Sequence, residues 1–524
     1  MYEKAKKASL ASLIALAVSN AWAAPFMLEE AKISQIHHAF ATGDLTCTQL
    51  VQGYLDRIKA YDQQGPALKA ILTISPTALI QAKELDAKFA ADPKAVGSLH
   101  CVPIILKDNY NTADMPTSSG NLAMKNSQPQ KDAFTVAKMR QAGAIILAKS
   151  NLQEFARGGV TISSLGGQTL NPYDLTRNPG GSSGGTGAAV AANFGMVGTG
   201  SDTGQSIRSP SSANSLVGVR PTRGLISRSG IMPNSFTQDE IGPLARTVID
   251  AAMMLDVMVG FDPADPITAL GVGRTPKSYA ESLDPQALKG AKIGLITDLL
   301  GKDDRHQEVT KALNSVAEKM EKQGATIVRF SLPELANLSK LVATDTYEAK
   351  AAFESYFATL PANAPVQSFG DLVATKSASP DIQKTLEKEF AIKDGMSSDE
   401  YKTHMLNRDK LRIVLAAKMA ELGVSAILYP MQSILVTHTG QLNQPERNGV
   451  LSNATGFPAV TFQAGFSKPD ANAPLGVPIG AELLGLDYTE PKLLSYAYAF
   501  EQAYHVRKPP MSTPPLNKEG VLPR

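Results

Sequence analysis

The stretch from Pro179 to Pro210, PGGSSGGTGAAVAANFGMVGTGSDTGQSIRSP, constrains this chain more than any other part of it. It holds two glycine-rich serine turns, one around Ser182 and Ser183 and one around Ser206. Between them the Ala/Val-rich run from Ala188 to Asn193 predicts a short buried helix. Glycine lets backbone pass close to a ligand and take positive φ. Two such turns flanking one short helix are able to aim serine hydroxyls and backbone N–H groups at a single point. Acyl transfer needs that grouping: a nucleophile, a group to take its proton, and N–H donors for the oxyanion.

A second candidate segment lies upstream. Val102 to Leu106 is short, apolar and rich in β-branched residues, which predicts a buried strand, and Lys107 stands where it ends. Ligand sites of open α/β sheets gather beyond strand ends. A lysine buried there has a lowered pKa and becomes a proton acceptor near neutrality. The plainer alternative is an ordinary lysine paired with Asp108.

Together these segments resemble the amidase signature family. The family pattern reads roughly GGSSGG, an Ala-rich helix, then G-T-D-x-G-G-S-I-R-x-P. Here it stands as Gly180 to Gly185 and Gly200-Ser201-Asp202-Thr203-Gly204-Gln205-Ser206-Ile207-Arg208-Ser209-Pro210, with Gln205 in place of the second glycine. The family's P-I-x-x-K-D segment is matched by Pro103 to Asp108, and its G-L-K-P-T-x-G segment by Gly218 to Gly224, with Arg220 for lysine. Ala148 to Phe155 and Asn171 to Asp174 are similar to framework segments, so Lys149 is not the matching base. Asn453 to Val460 and Gly476 to Gly480 resemble C-terminal family segments.

The resemblance implies a Ser-Ser-Lys triad: Ser206 as nucleophile, Ser182 as bridge and Lys107 as base. It also implies an oxyanion hole from the N–H groups of Thr203, Gly204, Gln205 and Ser206, with Ser183, Asp202 and Arg208 in support. The spacing from Ser182 to Ser206 matches the family and favours Ser182 over Ser183 as bridge. The family's bridging serine follows a cis peptide, so Gly181–Ser182 is expected to be cis. The implied fold is α/β: one α/β/α domain with a mixed central sheet. The implied substrate is a small-molecule carboxylic amide, hydrolysed without cofactor or metal; the sequence leaves open whether it is aliphatic, aryl or peptide and whether esters are used.

Competing readings are weaker. Gly181-Ser182-Ser183-Gly184-Gly185 formally fits the nucleophile elbow of an α/β-hydrolase esterase, with Ser183 as nucleophile and His438 as partner, but Thr176 to Pro179 is a poor strand. No Gly-Lys-Ser/Thr follows the glycines, against a phosphate loop. A non-catalytic binding protein would not need a Lys-Ser-Ser set. His37 and His38 are adjacent and the other histidines scattered, without metal-ligand spacing.

The N-terminus reads as a signal peptide: Lys4, Lys6 and Lys7, an apolar run from Ala8 to Val18, and Ala21-Trp22-Ala23 as cleavage site, giving residues 24–524 as mature chain. The run is too short to span a bilayer well. Export to the periplasm or medium follows as an expectation, and it argues against the family's cytosolic transfer-RNA amidotransferase role. Removing residues 1–23 takes three lysines and Glu3 and leaves no formal net charge, so nothing here favours nucleic-acid binding. It also removes Trp22, the only tryptophan. In an oxidising compartment Cys47 and Cys101, the only cysteines, are expected to pair; two buried thiols are the alternative. Nothing in the sequence decides oligomeric state.

Elsewhere, helices are expected over 28–62 (with Thr46 as a cap), 77–89, 134–143, 244–259 and 309–323, and strands over 70–74, 144–148, 294–296, 325–330 and 426–429. Residues 340–422 are richer in Lys, Asp and Glu, with a helical stretch from Ser398 to Leu422, and read as a helical insertion capping the site. The proline-rich tail after Arg507 is expected to be extended.

Overall fold

The computed structural model describes residues 26–516, so the signal-peptide residues lie outside it. Its frame is an eleven-stranded mixed sheet. In chain order the strands of the molecule are β1 (Ile71–Ile74), β2 (Pro103–Lys107), β3 (Ile145–Ser150), the small hairpin β4 (Ile162–Ser163) and β5 (Gly167–Gln168), β6 (Val197–Asp202), β7 (Val217–Arg220), β8 (Glu240–Ala245), β9 (Lys292–Ile296), β10 (Thr326–Phe330), β11 (Ala426–Pro430), β12 (Ala459–Phe466) and β13 (Pro478–Leu484). The large sheet runs β1-β3-β2-β6-β8-β7-β12-β13-β11-β9-β10. Pairing is parallel for β3/β2, β2/β6, β11/β9 and β9/β10, and antiparallel for the rest. Helices cover both faces, as the expected α/β/α architecture requires.

Local chemistry accounts for the elements. The helix Cys47–Ile58 begins where Thr46 Oγ1 accepts from Gln49 N at 3.1 Å, and it buries Leu50, Val51, Tyr54 and Ile58. The single helix expected over 28–62 is two, Ile33–Thr42 and Cys47–Ile58, because Gly43 at φ +75° closes the first in a left-handed cap. Residues 244–245 belong to β8 rather than to the following helix, Val248–Met258, which Thr247 caps.

β6 is absent from the strands that the sequence pattern predicts. Its sequence VGTGSD alternates glycine, which is depleted in strands. Packing explains the choice: the helix Gly184–Ala191 lies on β6 so closely that a Cβ at Gly198 would stand 2.4 Å from Thr186 Cγ2. Thr186 Oγ1 donates to Thr199 O across that contact, at 3.0 Å.

The segment 340–422 is helical throughout its main parts: Asp345–Phe357, Phe369–Thr375, Pro380–Ala391 and Asp399–Leu422. The first three share an apolar cluster of Phe353, Phe369 and Leu386 with Phe155 and Met232 of the main body. The fourth buries Leu411, Leu415 and Met419 against Ile427 and Tyr429 of β11. Cys47 and Cys101 form a disulfide. From Lys508 to Leu516 the chain forms no helix or strand, turns at Met511 and Ser512, and is held by Arg57, whose guanidinium donates to Thr513 O and Pro514 O.

Candidate active site

β2 and β6 are parallel neighbours, so Lys107 and Asp202, their last residues, emerge at the same sheet edge. The turn holding Ser182 and Ser183 leads into the helix Gly184–Ala191 on that edge, and the turn holding Ser206 follows β6 directly. Sheet topology therefore gathers residues from distant parts of the chain.

Lys107 is fully buried. Its Nζ lies 2.7 Å from Ser182 Oγ, 2.8 Å from Ser201 Oγ and 3.1 Å from Ser201 O. Burial pulls its pKa down to about 7, with Asp202 and Asp239 opposing at a distance. Asp108 is not its partner: that carboxylate pairs with Lys149 at 3.0 Å, and Lys149 also donates to Pro116 O and Thr117 Oγ1. The carboxylate pairing that stands as the plainer alternative for Lys107 thus belongs to the other lysine. The Gly181–Ser182 peptide is cis.

Ser206 is buried, and its carbonyl accepts from Ser183 N at 3.2 Å, which ties the two serine turns together. Ser183 Oγ turns to Ser201 O at 3.4 Å. Among the described residues, the N–H groups of Thr203, Gly204, Gln205 and Ser206 donate to no protein acceptor, and Ser206 Oγ has no protein partner. Free N–H groups around an available hydroxyl suit an oxyanion site.

The loop is held from below. Asp202 accepts from Ile207 N, Arg208 Nε and Arg220 Nη1 at 3.0, 3.0 and 2.8 Å. Burial raises its pKa, but the two guanidinium groups outweigh burial and hold it at about 2. Arg208 also pairs with Glu482 at 2.7 Å and donates to Gly204 O at 2.7 Å. Asn453 Nδ2 donates to the same carbonyl at 3.1 Å.

Ser206 opens into a cavity of about 420 Å³, whose lining includes Arg157, Thr203, Gln205, Arg447 and Asn453. Arg157 pairs across it with Glu389 of the helix Pro380–Ala391 at 2.5 Å. A second cavity of about 340 Å³ is lined by Ser201, Ile231, Phe236 and Tyr356 but not by Ser206. Among the described residues, no group of three or more His, Cys, Asp or Glu is gathered to hold a metal, and no helix is long and apolar enough to cross a membrane.

The esterase alternative finds no support in this arrangement. Ser183 is fully buried, whereas His438 sits on a loop beside Thr176 Oγ1, 3.2 Å from its Nδ1. No strand among the described residues leads directly into Ser183.

Sequence reasoning missed Ser201, which grips the lysine, and the remote supports Glu482, Asn453 and Arg447. Ser201 carried a signal, since it occupies the hydroxyl-bearing position of the G-T-D pattern. The others come from distant segments, and no local spacing marks them.

Comparison with known proteins places this arrangement. Residues 49–494 match the Amidase family model. A probable amidase of Arabidopsis thaliana is 33% identical over 93% of this chain and 92% of its own. A glutamyl-tRNA(Gln) amidotransferase component from Synechococcus is 31% identical over 93% of this chain and 95% of its own. The solved structure of native peptide amidase from Stenotrophomonas maltophilia superposes with a TM-score of 0.82 at 35% identity, over 92% of this chain and 98% of that one. The chain belongs to the amidase signature family, and it is a hydrolase of carbon–nitrogen amide bonds.

Proposed function

We propose that the chain hydrolyses a small-molecule carboxylic amide through a seryl acyl-enzyme formed by Ser206, Ser182 and Lys107. The observation that carries this reading is the buried Lys107 Nζ, 2.7 Å from Ser182 Oγ and, among the described residues, in no ion pair with a carboxylate. Neutral Lys107 takes the Ser182 proton as Ser182 takes that of Ser206. Ser206 Oγ bonds to the amide carbon, and the carbonyl oxygen gains negative charge among the N–H groups of residues 203–206. The lysine proton returns through Ser182 to the leaving nitrogen, whose bond to carbon then breaks. Water attacks the ester by the same relay, releasing the acid and restoring Ser206.

The helices between residues 345 and 391 form one wall of the cavity through Asp345 and Glu389, so they carry substrate choice. Peptide amides are included because the peptide amidase structure is similar over nearly its whole length. The exported location expected from the N-terminus agrees with the Cys47–Cys101 disulfide. That location favours a free-standing amidase over a component of an amidotransferase.

The test is ammonia or amine release from a panel of aliphatic, aryl and peptide amides, with Ser206→Ala beside the wild type. Turnover lost by at least about 10³-fold in the variant is expected. Unchanged turnover would refute the nucleophile assignment.

A further inference from the structure

Gln205 stands where the family pattern has glycine, and its side chain has a partner. The hydrogen-bond network orients its amide oxygen toward Arg447, accepting from Nε and Nη1 at 2.8 Å each. Gly159 makes room on the other side: a Cβ there would lie 2.5 Å from Arg447 Nη1. Arg447 is thus seated between Gly159 and the residue preceding the nucleophile, on the wall of the Ser206 cavity.

The charge of this arginine is unanswered. Among the described residues it forms no ion pair, unlike Arg157, which Glu389 neutralises in the same cavity. Arg447 is an exposed residue where it lines the cavity, and burial around its guanidinium still lowers its pKa with no carboxylate raising it. Gln205 uses two of the five guanidinium N–H groups, leaving three for a ligand. A neutral amide acceptor suits this purpose, since it fixes the fork without cancelling its charge. Asp345 lines the cavity near Glu389, on the cap side, and repels an anion there.

We propose that Arg447, positioned by Gln205, is an anion subsite, and that the favoured substrate is an amide carrying a carboxylate a few bonds from its scissile carbonyl. A planar guanidinium with free N–H groups matches a carboxylate in geometry and charge. Gln205, which Arg447 holds, adjoins Ser206 in the chain, and Arg447 and Ser206 line the same cavity of about 420 Å³, so anion and reacting carbon belong to one small molecule. The proposal rests on the amide-hydrolase reading of the site.

The experiment compares succinamate with butyramide, which has methyl in place of carboxylate, on wild type, Arg447→Gln and Arg447→Lys. The expected result is kcat/KM for succinamate roughly 10- to 100-fold above butyramide in the wild type. Arg447→Gln should abolish that preference by lowering kcat/KM for succinamate at least about 10-fold more than for butyramide, and Arg447→Lys should retain part of it. Equal loss on both amides in Arg447→Gln, or a wild type that favours butyramide, would overturn the subsite. Calorimetric titration with succinate reads the subsite without catalysis: binding by wild type and none by Arg447→Gln is expected, and no binding by wild type overturns it. Succinate binding that depends on Arg447, together with absence of turnover on every amide, would leave the subsite standing and sink the catalytic reading instead.

Discussion

At the scale of the residue, the protein keeps a lysine where water cannot reach it, and one cause serves both the proposed activity and instability. Burial lowers the Lys107 pKa to about 7. The relay proposed above needs the neutral amine, so kcat/KM should rise with pH, with a midpoint near 7, and level off above it. A flat profile from about pH 5 to 9 would exclude Lys107 as base. The sign for stability follows from linkage. Between the folded value of about 7 and the unfolded value of about 10.4 the unfolded chain holds a proton that the folded chain lacks, so stability rises with pH across that window. The penalty is fully present below the folded value. Lys107→Met should therefore be inactive yet melt at a higher temperature at about pH 6, with the difference shrinking toward about pH 10. A lower melting temperature at the acid end would show that the contacts to Ser182 and Ser201 outweigh desolvation.

At the scale of the element, the loop carrying Ser206 depends on charges set beneath it. Arg208 answers both Asp202 and Glu482, and all three are buried. Removing one partner of a buried ion pair typically costs about 3–5 kcal/mol, because the remaining charge is stranded. Arg208→Met should lose about that much in denaturant unfolding, and kcat should fall with it since Gly204 O is released. The helix Gly184–Ala191 depends instead on the absence of side chains. A Cβ at Gly185 would stand 2.1 Å from Asn151 O, a backbone atom unable to turn aside. Gly185→Ala should cost at least about 1–3 kcal/mol by overpacking; a variant as stable as wild type would mean that the helix and the chain following β3 separate freely.

At the scale of the whole molecule, the Cys47–Cys101 disulfide ties the N-terminal helix Cys47–Ile58 to the segment leading into β2, across 54 positions. Loop-closure entropy for that length predicts about 4 kcal/mol as an upper figure. A Cys47→Ser/Cys101→Ser double variant should lose about 2–4 kcal/mol in denaturant unfolding. It should keep the site, because β2 is also held by β3 and β6. Loss of turnover in a folded double variant would show that the bridge sets the position of Lys107.

The residues gathered at the candidate site are legible in the chain because they are written in local spacing. Two glycine–serine turns and a lysine ending an apolar strand are short patterns, and short patterns survive without coordinates. The strands of hydrophobic, β-branched residues, such as β2 and β9, are legible for the same reason. β6 is not, because its glycines answer to a helix packed on it rather than to strand propensity. Nor is the identity of the lysine partners. Sequence proximity points Lys107 to Asp108, but β2 ends at Lys107, and Asp108, in the turn that follows, reaches Lys149. The chain by itself determined which groups are able to react. Tertiary structure alone decided which lysine is stripped of its counterion, and it set Arg447 against Gln205 from a distant part of the chain. Those outcomes depend on desolvation and on long-range contact, and both exist only once the sheet has formed.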